Sequence, residues 1–345
     1  MRYGIVYMGS KEKILYLIQY LLEREYQAEY MIDLFCGGFS VSSYALQNSN
    51  KKVIANDLNH YVIDLYDKLL NNDPELKTKK FEWISREKFN DVRDNPQNYP
   101  AWFVGFVLNV YSFGCNQKDY LYAKDIEENK RAIHQAIVYD DFSLMEQNEL
   151  FKGFKIREEL RKIDYKLHPN KRIAFMRVLK NFILENKDED KKKELERLTQ
   201  MENISQMEHL SAISRNQLNK SRLQLHSEDY LDLYNKIPKD ILEKSFIYCD
   251  PPYENTKQYQ FGQDFDYDKF WDWFRNCPYS VYASSYTAPD DIKTINFDYK
   301  LSLLDNGKAG DNKPKKKVME NIYWNGKGNP VPTFYDMLFN KENKS

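Results

Sequence analysis

Tyr30-Met31-Ile32-Asp33-Leu34-Phe35-Cys36-Gly37-Gly38 and Lys52-Val53-Ile54-Ala55-Asn56-Asp57 are the two stretches from which the fold can be read. In each, a short apolar run ends in an acid. Between them, Gly37-Gly38 turns the chain and Val41 to Leu46 suits a helix. Strand, glycine turn, helix, strand and acid is the opening of a doubly wound α/β sheet. Further strands fall much later: Ser245-Phe246-Ile247-Tyr248-Cys249, Ser280-Val281-Tyr282-Ala283-Ser284, and a late strand or hairpin from Lys317-Val318-Met319 and Asn321-Ile322-Tyr323-Trp324. Leu223-Gln224-Leu225-His226-Ser227-Glu228-Asp229-Tyr230 reads as a strand running into acids. In open sheets of this kind, ligands bind beyond the carboxyl ends of the strands. Asp33, Asp57 and Asp250 all stand at such ends.

The segment from Asp57 to about Leu223 has another character. It is polar and helix-rich, and Leu195, Leu198, Met201, Ile204, Met207 and Leu210 recur every three residues as an amphipathic helix stripe. Parallel strands accept a long insertion because their crossovers are long in any case. The expected organisation is a discontinuous α/β domain of residues 1–60 and 221–330, interrupted by a helical insert of residues 61–220, with a fraying tail at 331–345. Gly153-Phe154 and the Lys187 to Lys193 charge run are candidate joints within the insert.

Bulk properties narrow the classes. The chain has 345 residues, with 42% hydrophobic and 30% charged residues, a folded rather than a disordered balance. Aromatic residues reach 15%, which suits cores and base stacking alike. Net charge is −1, yet residues 150–225 carry 18 Lys/Arg against 11 Asp/Glu, and Lys313-Pro314-Lys315-Lys316-Lys317 forms a second basic run. Such surfaces attract phosphate, or are simply solvated helix faces. Cys36, Cys115, Cys249 and Cys277 form no CxxC pair, which disfavours zinc and a disulfide scaffold. With no signal-peptide pattern and no apolar run of about 20 residues, the chain reads as a soluble cytoplasmic protein.

The motifs carry more specific chemistry. Glycines after a strand let a ligand approach the backbone, and an acid at the end of the next strand, the place that Asp57 holds, can bind ribose hydroxyls. The pattern lacks a full GxGxxG and no phosphate-binding P-loop occurs, so the ligand need not carry a pyrophosphate. S-adenosylmethionine has a ribose, an adenine and a sulfonium but no phosphate; a purely structural turn is the alternative. Asp250-Pro251-Pro252-Tyr253 is more specific. Two prolines stiffen the strand end and remove N–H donors, leaving carbonyls to face a substrate. With Asp250 they can hold the hydrogens of an amine on a planar ring, and Tyr253 can stack on that ring. In Tyr7-Met8-Gly9-Ser10-Lys11 the turn suits an anion such as a donor carboxylate, and Lys11 could meet that carboxylate or a DNA phosphate; a plain helix start is the alternative. Asp229 could bond the donor's adenine amine or cap a helix.

Together these residues resemble the Dam-like family (D12 class, alpha group) of DNA adenine-N6 methyltransferases. Met8 to Lys11 resembles the family's N-terminal GGK element, and Asp33 to Gly38 its donor motif. Asp57 matches its ribose-binding acid, Asp229-Tyr230 its Asp-Phe element, and Asp250 to Tyr253 its catalytic motif. Leu108-Asn109 and Ser112-Phe113-Gly114-Cys115-Asn116 are similar to an Asn-containing segment of its insert. The resemblance covers most of residues 1–325 and is thin from about 126 to 220. It implies a Rossmann-like S-adenosylmethionine-dependent methyltransferase sheet with a helical target-recognition insert. The implied activity is methylation of adenine N6 in duplex DNA by base flipping and direct transfer. Catalytic residues would be Asp250, Pro251, Pro252 and Tyr253. Donor-binding residues would be Tyr7, Met8, Gly9, Lys11, Asp33, Phe35, Cys36, Gly37, Gly38, Asp57, Asp229 and Asp250, with no metal. Double-stranded DNA is the implied partner, and a restriction endonuclease is compatible with it. Three positions depart from the pattern: Ser10 and Phe39 replace glycines and Leu34 a proline, and Phe39 would bring a ring to the donor's methionine moiety. Cytosine N4 and rRNA guanine N2 methylation are rival activities, although Asp rather than Ser at 250 disfavours the former. A DNA-binding module without catalysis is the rival of another class.

Overall fold

A computed structural model describes residues 3–5, 7, 9–79, 81–163, 171–186, 188–215, 218–253, 265–295 and 321–331. Met8, Lys187, the 313–317 basic run, the strand expected at 317–319 and the tail beyond Val331 lie outside the described residues. By its packing the chain divides into two compact units, Met1–Gly4 with Gly9–Ile63 and Gln217–Ser345, and Ile5–Met8 with Asp64–Asn216.

The first unit is built on a seven-stranded sheet. Its strands are β1 (Tyr30–Asp33), β2 (Lys52–Asn56), β3 (Leu223–His226), β4 (Ser245–Cys249), β5 (Ser280–Ser285), β6 (Lys293–Ile295) and β7 (Asn321–Trp324), in the order β3-β2-β1-β4-β5-β7-β6. The first five are parallel, and β7 runs antiparallel between β5 and β6. β4 and β5 are buried along their whole length, as expected for strands covered on both faces, and this is why they read as unbroken apolar runs. Ile32, Ile54, Ile247 and Val281 pack with Phe270 and Phe274 of the helix Tyr267–Asn276 in one core. The order changes direction between β1 and β4, whose neighbours continue outward on either side. Crossovers diverge at that point, and the carboxyl ends of β1 and β4 carry Asp33 and Asp250.

The second unit is helical, with only one isolated β-bridge, Ser112 to Tyr120, among its described residues. Phe175, Leu179 and Ile183 of the helix Lys171–Glu185 pack with Ile133, Ile137, Leu195 and Leu198 in its core. The stripe from Leu195 to Leu210 is not one helix. It crosses two, Glu189–Arg197 and Glu202–Arg215, with a break between them. At 100° per residue a strict three-residue period slips by about 60° at each step, so six such positions cannot share one face of a straight helix. The break resets the phase, and all six side chains are buried. β6 had no counterpart in the sequence reading: its three residues are largely exposed and form no apolar run. No described helix is long and apolar enough to cross a membrane.

Candidate active site

Asp250 follows β4 directly, and both of its carboxylate oxygens are engaged. Oδ2 pairs with Lys11 Nζ at 2.8 Å, and Oδ1 accepts a hydrogen bond from Ser284 Oγ at 2.9 Å. The Lys11 ammonium also donates to the Gly9 carbonyl at 2.8 Å and lies 4.9 Å from the centre of the Tyr253 ring. Lys11 is buried, so its charge is compensated by this carboxylate and carbonyl rather than by bulk water. Tyr253 meets the ring of Tyr286 edge to face at 4.7 Å. Pro251 is buried, whereas Pro252 and Tyr253 are half-buried and Tyr286 is partly exposed. The four residues of the tetrapeptide thus stand at a strand end with an acid, a cation and two aromatic rings gathered around one point.

Two strands away, Asp57 acts on the glycine loop. Its Oδ2 accepts from the Gly37 N–H and its Oδ1 from the Asn59 N–H, both at 2.8 Å. The Cys36 N–H donates to the Asn56 carbonyl at 2.7 Å, which completes the tie between the loop and β2. Burial nevertheless holds the Asp57 carboxyl above its ordinary range, with those two N–H groups and Asp250 as lesser influences. Asp33 is wholly buried at the end of β1. Ser42 Oγ donates to its Oδ2 at 2.6 Å, while Oδ1 has no well-formed hydrogen bond among the described residues. Burial pushes the Asp33 carboxyl up to about 7; the Ser42 hydroxyl opposes this, and the charges of Asp250 and Asp57 add to it. Burial likewise drives the Cys36 and Cys249 thiols well above their normal range, which makes neither a nucleophile.

The loop has a second support. A Cβ built on Gly4 would fall 2.2 Å from the Gly38 carbonyl oxygen and 2.9 Å from the Ser40 nitrogen, so only glycine admits this approach. Phe39 adopts φ 62°, a left-handed conformation, just before the helix Ser40–Asn48, and its ring is buried. The loop therefore keeps a glycine-like backbone at a position that carries a side chain, at a strain of about 1–2 kcal/mol.

The remaining candidates are placed differently. Gly9 is exposed beside Lys11, and Tyr7 belongs to the helical unit. The Phe35 ring joins an aromatic cluster with Tyr230, Phe265 and Phe270. Asp229 is exposed and caps the helix Tyr230–Lys236 by accepting from the Leu231 N–H at 2.9 Å, the capping alternative of the sequence reading. Four residues to which the sequence assigns no role at the site also stand close to these groups: Gly4, Tyr248, Ser284 and Tyr286. Among the described residues no cluster of His, Cys, Asp and Glu has the arrangement of a metal site. In a comparison with known protein families, the family model described as D12 class N6 adenine-specific DNA methyltransferase matches residues 7–294 of the chain.

Proposed function

Because the chain belongs to the family of D12 class N6 adenine-specific DNA methyltransferases, we propose that it methylates adenine in duplex DNA with S-adenosylmethionine as donor, and that the residues around Asp250 carry the transfer. The observation that carries this reading is the meeting of Asp250, Lys11 and Tyr253 at the end of β4, beside the buried acids that end β1 and follow β2. A donor fits the second half of that arrangement. Asp33 has a buried oxygen with no well-formed hydrogen bond among the described residues, Asp57 tethers the glycine loop, and the Gly4–Gly38 approach keeps that loop's backbone close-packed. Asp33, Asp57 and the 36–38 loop would hold the donor, with Gly9 and Phe35 as flanking groups. Bound there, S-adenosylmethionine supplies an electrophilic methyl group on a positively charged sulfur.

The protein's own part is to present the amine. Asp250 and the Pro251 carbonyl accept hydrogen bonds from its two N–H groups, which leaves the nitrogen lone pair directed at the methyl group, and the proton that the methylated nitrogen must lose leaves along the hydrogen bond to Asp250. As positive charge grows on nitrogen, both acceptors stabilise it. Tyr253 offers a face for the base, and Tyr286, edge-on to it, a second wall. Such enclosure requires the adenine to leave the duplex stack. Lys11, 2.8 Å from Oδ2, supplies the compensating charge beside this carboxylate. No covalent enzyme intermediate is needed.

Incubation with tritiated S-adenosylmethionine and separate DNA and RNA substrates tests the reading. Label should enter adenine in DNA. Asp250→Ala should abolish transfer and leave donor affinity by calorimetry within about tenfold, since the motif acts on the target amine. Full activity of that variant, or label in RNA alone, would sink it.

A further inference from the structure

Asp250 is served from behind by residues that the roles above do not use. Tyr248 and Ser284 are wholly buried on adjacent strands, β4 and β5, whose register pairs Tyr248 with Tyr282 and Cys249 with Ala283. One step further along that register Ser284 reaches Asp250, and its hydroxyl lies 2.9 Å from Oδ1 and 3.0 Å from the Tyr248 hydroxyl. A serine hydroxyl has one hydrogen to give. The stronger acceptor, the carboxylate, takes it, which leaves Tyr248 to donate to Ser284. The two hydroxyls thus form a directed chain that ends on Oδ1, while Lys11 holds Oδ2 on the side of Tyr253.

We propose that Ser284, itself oriented by Tyr248, is a positioning residue that fixes the rotation of the Asp250 carboxylate. Oδ1 is committed to the buried chain, and the Oδ2 side is presented to the amine. A carboxylate held by a single ion pair can swing about its Cβ–Cγ bond. Two anchors of different direction define its plane before substrate arrives, so no reorganisation is needed during transfer. Neither hydroxyl touches substrate. The proposal rests on the reading of Asp250 as acceptor, and the test separates the two.

Ser284→Ala, Tyr248→Phe, the double variant and Asp250→Ala are compared in the full-length protein by steady-state kinetics and thermal melting. Ser284→Ala should lower kcat roughly ten- to a hundredfold, the usual worth of a hydrogen bond to a charged group, with KM for donor and DNA within about threefold. Tyr248→Phe should lower kcat less. The double variant should match Ser284→Ala within about twofold, because a chain already cut at its last link loses nothing more at its first. Ser284→Thr, which keeps the hydroxyl on a strand-favouring residue, should recover most of the rate. A kcat for Ser284→Ala within twofold of the parent, with Asp250→Ala inactive, would overturn the proposal. So would losses in the double variant that multiply. If Ser284→Ala melts early, Tyr248→Phe decides alone: unchanged kcat rejects the chain. Full activity of Asp250→Ala would instead remove the reading on which the proposal stands.

Discussion

Asp33 is the residue whose ionisation has the widest consequence. It is wholly buried, its Oδ1 has no well-formed hydrogen bond among the described residues, and burial raises its carboxyl to about 7 from an ordinary value near 4. The folded protein therefore binds this proton more tightly than the unfolded chain does. The stabilising contribution is complete below about pH 4 and is lost as pH rises through about 7. Asp33→Asn should raise the Tm of the donor-free protein clearly more at pH 8 than at pH 5, where the folded protein still holds the proton and only the first part of the loss has occurred. Thermal denaturation at the two pH values checks this; an equal effect at both would refute it. If the donor's positive charge is held by this carboxylate, binding must also expel the proton. Donor affinity measured by calorimetry should then rise with pH up to about 7, by at most tenfold per unit, and that slope should vanish in Asp33→Asn.

At the scale of elements, the glycine loop proposed to hold the donor is a backbone construction. Asp57 holds the Gly37 N–H, the Asn56 carbonyl holds the Cys36 N–H, and Gly4 lies against Gly38 and Ser40. Gly4→Ala would place a methyl carbon against the Gly38 carbonyl and the Ser40 nitrogen, neither of which can move as a flexible side chain can. We expect donor Kd to rise at least tenfold, while kcat at saturating donor stays within about threefold because Asp250 and its partners are untouched. A Kd within twofold of the parent would show that the loop does not depend on this approach. The same contact explains what was legible in the sequence. Gly37-Gly38, the acids at strand ends and the tetrapeptide at 250–253 were legible because each is a local pattern with a local cause. Gly4 was not, because its requirement arises from a backbone 34 residues away, which leaves no spacing to read. Ser284 was hidden for a similar reason: within β5 it resembles any small strand residue, and only the register with β4 brings it to Asp250. Lys11 was noticed, but as a group for a donor carboxylate or a phosphate; its pairing with Asp250 joins positions 239 apart in the chain.

For the whole molecule, a net charge of −1 conceals an uneven distribution. The excess of Lys and Arg in residues 150–225 falls largely within the helical unit, which we propose as the main DNA-contacting surface. Many of its cations are already paired on the surface, among them Lys152 with Glu149, Lys155 with Glu158 and Lys162 with Glu159. Exposed pairs of this kind contribute little to stability and exchange partners readily. Arg177 and Lys180 differ. They are exposed one turn apart on the helix Lys171–Glu185 and form no ion pair with a described residue. Cations that meet phosphates release condensed counterions, so each lost contact should flatten the plot of log affinity against log salt by about 0.9. The double variant Arg177→Ala/Lys180→Ala should therefore reduce the salt slope by up to about 1.8 and weaken binding to specific and random duplexes alike, since phosphate contacts carry no sequence information. Its kcat on saturating DNA should be preserved, because the residues proposed to present the amine lie in the other unit. Titration of a fluorescent duplex from about 50 to 200 mM salt makes the measurement. An unchanged slope would move the DNA surface away from this helix without touching the assignment of Asp250, whereas a loss confined to one DNA sequence would mark these cations as base-reading groups rather than phosphate anchors.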